Sequence, residues 1–295
     1  MYKENGKNNK KNIDINFNEI LENKNEANEI YGKNIINIIL DVELKENEII
    51  IFNQNKNNEK EIKDNLKVFL ENKRINLINE ENKWKIDYKF EKEGKYNIKI
   101  IFENNIKDMN RFFEKCSNIY SIDMSNFDSS KVNDMKFMFN ECIKLKEIKG
   151  INKLNTNQVT NMKAMFQLCK ELEYLDLSNF DTENVIDMSN MFASCNKLKE
   201  LRGINKFKTN KVKNMKAMFN ECTELQSLDL SNFYTENVTD MEGMFNKCDK
   251  LKYLNLLNFS IKCETKNMMN FNRKDKFKFI TNNKDLLALF NSIYL

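Results

Sequence analysis

The sequence predicts an α/β solenoid of about six coils, preceded by a small, mainly antiparallel β domain. Three observations carry that prediction. First, "NMKAMFQLCKELEYLDLSNFDTENV" at 161–185 returns almost unchanged as "NMKAMFNECTELQSLDLSNFYTENV" at 214–238. Second, copies anchored on Cys116, Cys142, Cys169, Cys195, Cys222 and Cys248 are spaced 26, 27, 26, 27 and 26 residues apart. A fixed period of roughly 20–29 residues marks a leucine-rich solenoid, in which each unit buries its apolar face by stacking on the next. Third, ahead of the repeats the apolar period shortens to two, that of a half-buried strand.

Residues 1–30 are rich in Lys, Asn and Glu and hold no sustained period, so they read as a disordered or weakly helical lead. Over 31–105, Ile36, Ile38, Leu40, Val42 and Leu44 alternate with mostly polar residues, and "EIIIF" follows at 48–52. Trp84, Ile86, Tyr88 and Phe90 match Tyr96, Ile98, Ile100 and Phe102 across "EKEGK", which predicts a hairpin with Gly94 at positive φ. The ending "YKFEKEGKYNIKI" resembles the last hairpin of PKD-like and other immunoglobulin-like sandwiches. An unclassified β sandwich fits the same residues.

The solenoid is expected over 106–265. In "DMSNMFASCNKLKELRGINKFKTNKV", Met188, Met191, Phe192 and Cys195 stand at i, i+3, i+4 and i+7, one face of a short helix. Asp134, Asn161, Asp187, Asn214 and Asp240 precede the first Met of their copies and are good helix N-cap residues. On this reading Asp187→Ala removes a cap and costs about 1 kcal/mol. After the cysteine, Leu175 and Leu177 alternate with Asp176 and Ser178 as a short strand. Phe127, Phe180, Phe207, Phe233 and Phe259, with Leu154, form an apolar column, and Val132, Val159, Val185, Val212 and Val238 close each coil. Ser129, Thr156, Thr182, Thr209 and Thr235 are placed for side-chain-to-backbone turn bonds. Residues 266–295 hold a degenerate repeat, "NMMNF" at 267–271, and an amphipathic helix at 285–295 that caps the open end.

Odd copies end in "LDLSNF" or a variant of it. Even ones end in "IKGINKL" or "LRGINKF", one residue longer, which predicts a bulge at Gly150 and Gly203. With strands stacked in parallel about 4.8 Å apart, Asp123, Lys149, Asp176, Arg202, Asp229 and Asn255 form a ladder of alternating charge that avoids like-charge neighbours. The column before it reads Ser121, Glu147, Tyr174, Glu200, Ser227 and Tyr253. The candidate partner-binding face is therefore Asp123, Glu147, Lys149, Tyr174, Asp176, Glu200, Arg202, Asp229, Tyr253 and Asn255. Tyr174 and Tyr253 are its expected anchors, because exposed aromatics dominate interface energetics. Plain surface decoration is the other reading of the same columns.

The pattern V-x-[DN]-M-x-x-M-F-x-x-C-x-x-L-x-x-L-x-L-S-N-F-x-T, over about 109–260, resembles the BspA-type leucine-rich repeat, also called the DUF285 repeat. The resemblance implies a curved right-handed solenoid used for protein binding or adhesion, often in exported attachment proteins. It implies no catalytic residues.

Composition narrows the function classes. With no His, the usual general base, zinc ligand and Ser-His or Cys-His pair are missing, and six Gly leave little room for a phosphate loop. No catalytic, cofactor or metal residues are expected. The Met and Cys columns match soft metal ligands in type, yet they recur at core spacing beside Phe and Leu, as packing requires. Helical sides of neighbouring coils lie about 8–10 Å apart, too far for disulfides, so the ladder cysteines are expected as buried free thiols, with Cys263 outside the ladder. A net charge of +4 from 48 basic and 44 acidic side chains is too even to call for nucleic acid, and "KFKTNKVKNMK" at 206–216 reads as a solvated face. No apolar window is long enough to span a membrane. The N-terminus, "MYKENGKNNKKNIDINFNEI", lacks the apolar core of a secretory signal. The expectation is a non-enzymatic, cytoplasmic protein-interaction module, with a cell-surface adhesion protein exported by an unconventional route as the alternative. Partner and oligomeric state stay open.

Overall fold

The computed structural model describes residues 34–43, 49–55, 57–63, 65–86, 88–263, 265–271 and 277–294. The lead read at 1–30 lies outside them. The chain enters through β1 (Asn34–Val42), β2 (Ile50–Asn53), a one-turn helix α1 (Glu59–Lys63), β3 (Leu66–Leu70), β4 (Lys73–Arg74), β5 (Leu77–Glu80), β6 (Lys83–Ile86) and β7 (Gly94–Phe102). The expected hairpin between the Trp84 and Ile98 runs does not form: β6 pairs with β2 and β5, and β7 with β1 and β3. Two tighter turns win instead. Glu71-Asn72 and Glu81-Asn82, all at positive φ, are the two-residue loops of β3–β4 and β5–β6, the primed geometry that suits strand twist. Gly94 has the positive φ expected of it, +144°, as the first residue of β7.

From there the chain is a β-solenoid of about six turns with few helices, which corrects the α/β expectation. One wall of each coil is the predicted short strand: β8 (Ile119–Asn126), β9 (Glu147–Lys149), β10 (Tyr174–Asp176), β11 (Glu200–Arg202), β12 (Ser227–Asp229) and β13 (Tyr253–Asn255). These pair in parallel in the register read from the sequence, with Asp123 opposite Lys149, Asp176 opposite Arg202 and Asp229 opposite Asn255.

Pairing breaks after β9 and after β11, the coils with the extra residue. There Gly150 and Gly203 take φ of +70° and +81° and open 3-10 turns at Ile151–Lys153 and Ile204–Lys206. A Cβ on Gly203 would lie 2.3 Å from Ser178 Cα in the preceding coil, so the backbones approach where only glycine fits. Coil six has no such glycine, and β13 pairs onward with β14 (Lys278–Ile280). At the other end β1 lies antiparallel to β8, giving a six-stranded order β4-β3-β7-β1-β8-β9.

The other wall was expected as a helix and is a chain of turns. In coil two, Phe137 and Glu141 sit at φ of +56° and +61°. The same two places are left-handed in Ala164 and Leu168, Asn190 and Ser194, and Ala217 and Glu221. Alternate amides close turns within the coil, Met138 to Met135, Asn140 to Phe137 and Cys142 to Phe139. The amides between them donate to the next coil: Met135 to the Asn161 carbonyl, Phe137 to Lys163, Phe139 to Met165 and Glu141 to Gln167, at 2.8–3.1 Å. A helix would keep all of these bonds inside one coil. The turn chain uses half of them to join coils, which offsets the ~1–2 kcal/mol cost of each left-handed residue.

Asp134, Asn161, Asp187, Asn214 and Asp240 are accordingly not helix caps. Each accepts the N–H two residues on, Asp187 Oδ1 from Ser189 at 2.8 Å, and each bridges its counterpart in the next coil or the one before. The Ser/Thr column was expected to bond locally, yet Thr156, Thr182, Thr209 and Thr235 bond the following coil.

Turn chain or helix, the same side chains point inward. Phe113, Phe139, Phe166, Phe192, Phe219 and Phe245 stack with centroids 5.5–5.8 Å apart and planes within 12° of parallel. Phe180, Phe207, Phe233 and Phe259 form the predicted second stack at 6.2–6.4 Å. Because this wall stacks as a β ladder, its coils are about 4.8 Å apart and not at helix spacing. The cysteines are free thiols all the same. "NMMNF" continues the turn ladder, accepting amides from Phe245 and Lys247 at Met268 and Asn270, and starts no helix. A terminal helix, α2 (Lys284–Tyr294), follows and packs Phe290 on Phe279 with centroids 4.6 Å apart.

Candidate protein-docking face

Within each strand triplet the middle residue, Leu175, Leu201, Leu228 or Leu254, is buried and the flanking two face solvent. All ten predicted face residues thus stand on one side, in two columns. Glu147, Lys149, Tyr174, Glu200 and Arg202 are exposed, while Asp123, Asp176, Asp229, Tyr253 and Asn255 are half-buried.

The acids do structural work as well. Asp123, Asp176 and Asp229 each accept the N–H two residues on, from Ser125, Ser178 and Ser231 at 2.9–3.1 Å. Asp176 also receives Asn152 Nδ2 at 3.2 Å. Hydrogen bonds from Ser178 and Asn152, with the charge of Arg202 beside it, hold its carboxyl below the ordinary carboxylate value. Neither tyrosine is bare. The Arg202 guanidinium lies 5.6 Å from the Tyr174 ring centroid, and Lys278 Nζ lies 5.6 Å from that of Tyr253, both cation–π contacts from the next strand. Burial, then the nearby Asp176 charge, pushes the Tyr174 hydroxyl up. Ion pairs at 2.6–2.7 Å join coils elsewhere on the surface: Lys197 to Glu171, Lys199 to Glu173, Lys208 to Glu183 and Lys247 to Glu221.

The face continues past Asp123, where the sequence reading ended it. Asp123 lies opposite Asn37, Asn37 opposite Lys99, and Lys99 opposite Phe69. One row along, Ser121 lies opposite Ile39 and Ile39 opposite Asn97. These residues line a cleft of about 360 Å³. A period of two marks β1 as a strand but does not name its neighbour, so this extension carried no signal in the sequence.

The cysteine column offers no reactive sulfur. Cys142, Cys195 and Cys248 donate their S–H to the carbonyls of Phe113, Phe166 and Phe219 in the preceding coil at 3.0–3.1 Å. Burial pushes the Cys142 and Cys195 thiols up, Cys195 to about 12, so these two stay protonated, and a thiolate is what nucleophilic attack or metal ligation needs. Among the described residues no three Cys, Asp or Glu side chains gather to hold a metal ion, and no helix is long and apolar enough to cross a membrane.

A family model described as "Mycoplasma protein of unknown function, DUF285" matches residues 85–174, 107–202 and 169–283. No curated protein and no solved structure matches the chain.

Proposed function

The chain belongs to the DUF285 family, and we propose that it is a non-enzymatic module whose strand wall docks another protein. The observation that carries this reading is the pair of solvent columns, in which Tyr174, Glu200 and Arg202 stand exposed on strands locked in one register. Side chains presented on a rigid backbone lose little freedom on binding, and an aromatic ring next to Arg is the pairing found at interface hot spots. Free thiols fit a reducing compartment, and we assign the protein to the cytoplasm on that ground.

Cross-linking in cell lysate tests the docking face. The full chain is compared with a Tyr174→Ala, Glu200→Lys variant and with Lys213→Glu, an exposed change off the strand wall. A partner lost by the first variant and kept by the second supports the reading, whereas partners bound equally by all three overturn it. Protease treatment of intact cells tests the location. Digestion of the full chain while a cytosolic control survives replaces the cytoplasmic module with a surface adhesion protein.

A further inference from the structure

We propose that the strand wall pairs face to face with a second copy of this chain, about a two-fold axis parallel to the strands. The proposal rests on the docking face above and names its occupant. Its warrant is the order of charges. Asp123, Lys149, Asp176, Arg202, Asp229 and Asn255 stand on six successive strands at the same place along each strand, in register within each pair. A two-fold axis between β10 and β11 reverses the coil order of the second copy and keeps position along the strand. Asp176 then faces Arg202, Lys149 faces Asp229, and Asp123 faces Asn255, each contact occurring twice as an isologous interface requires.

The neighbouring column obeys the same operation. Tyr174 faces Glu200, Glu147 faces Ser227, and Ser121 faces Tyr253, so no like charges meet. An axis through a strand, in place of one between two strands, sets acid against acid and base against base. Of the axes between strands, the one between β10 and β11 engages all six rungs. The alternation that keeps like charges apart within one wall therefore makes the wall complementary to itself.

Six strands, about 4.8 Å apart where they pair and each about 10 Å long, give roughly 300 Å² per copy, well under the ~800 Å² of a standard stable interface. The dimer is therefore weak, dependent on concentration and sensitive to salt.

Sedimentation velocity on the full chain tests it, from about 10 to about 500 µM at low salt. The sedimentation coefficient is expected to rise towards that of a dimer, and the rise to vanish near about 0.5 M salt. Asp176→Arg and Arg202→Asp should each abolish it, while the double variant D176R/R202D restores it by exchanging both partners of the facing pair. Lys149→Glu, which leaves the Asp176 turn untouched, should abolish it through Asp229. A wild type that stays monomeric across the range, or a dimer that the single changes leave intact, overturns the proposal. A monomer that still captures another protein through Tyr174 and Glu200 sinks this inference and leaves the docking reading standing. A dimer with no other partner does the reverse.

Discussion

The hydroxyl of Thr182 satisfies both backbone groups of Lys208 in the next coil, donating to its carbonyl at 3.0 Å and accepting its N–H at 2.8 Å. Thr156 does the same for Asp181, Thr209 for Tyr234 and Thr235 for Ser260. A side chain here makes the rung that a neighbouring strand would otherwise make. Thr182 is 1% exposed, so Thr182→Val keeps the shape and strands both partners, at a cost of about 1–3 kcal/mol. Thr182→Ser keeps both bonds and should cost less than about 1 kcal/mol, the loss of one methyl. Urea midpoints followed by circular dichroism separate the two. Equal midpoints for Val and wild type would remove the hydroxyl from this account.

Glycines in this chain are not equivalent. Gly203→Ala drives a methyl into the Ser178 backbone at left-handed φ, and a loss above about 3 kcal/mol is expected. Gly243 is also left-handed, at +62°, but a Cβ there meets nothing nearer than Asn246 Cβ at 3.9 Å, and Ala164 and Ala217 occupy the matching place in other coils. Gly243→Ala should stay within about 1–2 kcal/mol. Thermal unfolding of the two variants side by side checks the contrast, which is lost if they fall together.

The thiols set an alkaline limit. Burial pushes Cys116, Cys142, Cys169, Cys195 and Cys222 up, while the unfolded chain ionises near the ordinary thiol value. Above that value the unfolded state binds fewer protons than the native state, so stability is whole below about pH 8.5 and falls as pH rises. Each thiol withdraws about 2 kcal/mol by pH 10, and five together rival the ~5–15 kcal/mol of a typical domain. Unfolding between about pH 9.5 and 11 is expected, with a shallower decline in Cys195→Ala. A chain whose stability is flat to pH 11 contradicts the burial of these groups.

One rung of the turn wall carries two acids. Asp108 bridges Asp134, whereas further along Asp and Asn alternate. Burial and, less strongly, the charge of Asp108 push the Asp134 carboxyl up. Folding therefore favours its protonated form, and Asp134→Asn, which keeps the acceptor for the Lys136 N–H, should stabilise at pH 7 by no more than about 1 kcal/mol. The gain should vanish once acid protonates Asp134 in wild type. Melting temperatures at pH 7 and pH 3 read the sign, and a variant less stable at pH 7 reverses it.

The strand wall was legible because every second side chain there must be apolar, which fixes both face and register from Leu175 and Leu201 alone. The turn wall was not. Met135, Met138, Phe139 and Cys142 keep helical spacing, and the left-handed residues between them, Phe137 and Glu141, are types that give no turn signal. Only Asn190, Gly243 and Asn267 at that place hint at positive φ. In the N-terminal strands Gly94 is the conspicuous turn residue, yet the tight loops fall at Glu71-Asn72 and Glu81-Asn82, where Asn at the second loop position is the clue. The face was readable up to Asp123, and its continuation through Asn37 and Lys99 depends on pairing across more than sixty residues of chain.

The fit of Gly203 against Ser178 also governs how such a gene can lengthen. A coil with that glycine fits only behind one that offers Ser at that place, as Gly150 fits against Ser125. Duplicating a single coil would set two identical endings side by side and lose that seat. Duplicating a pair inserts 53 residues and restores every contact, and 53 residues is the distance at which "NMKAMF" recurs almost verbatim. The heritable unit of this wall is the couple of coils, not the coil.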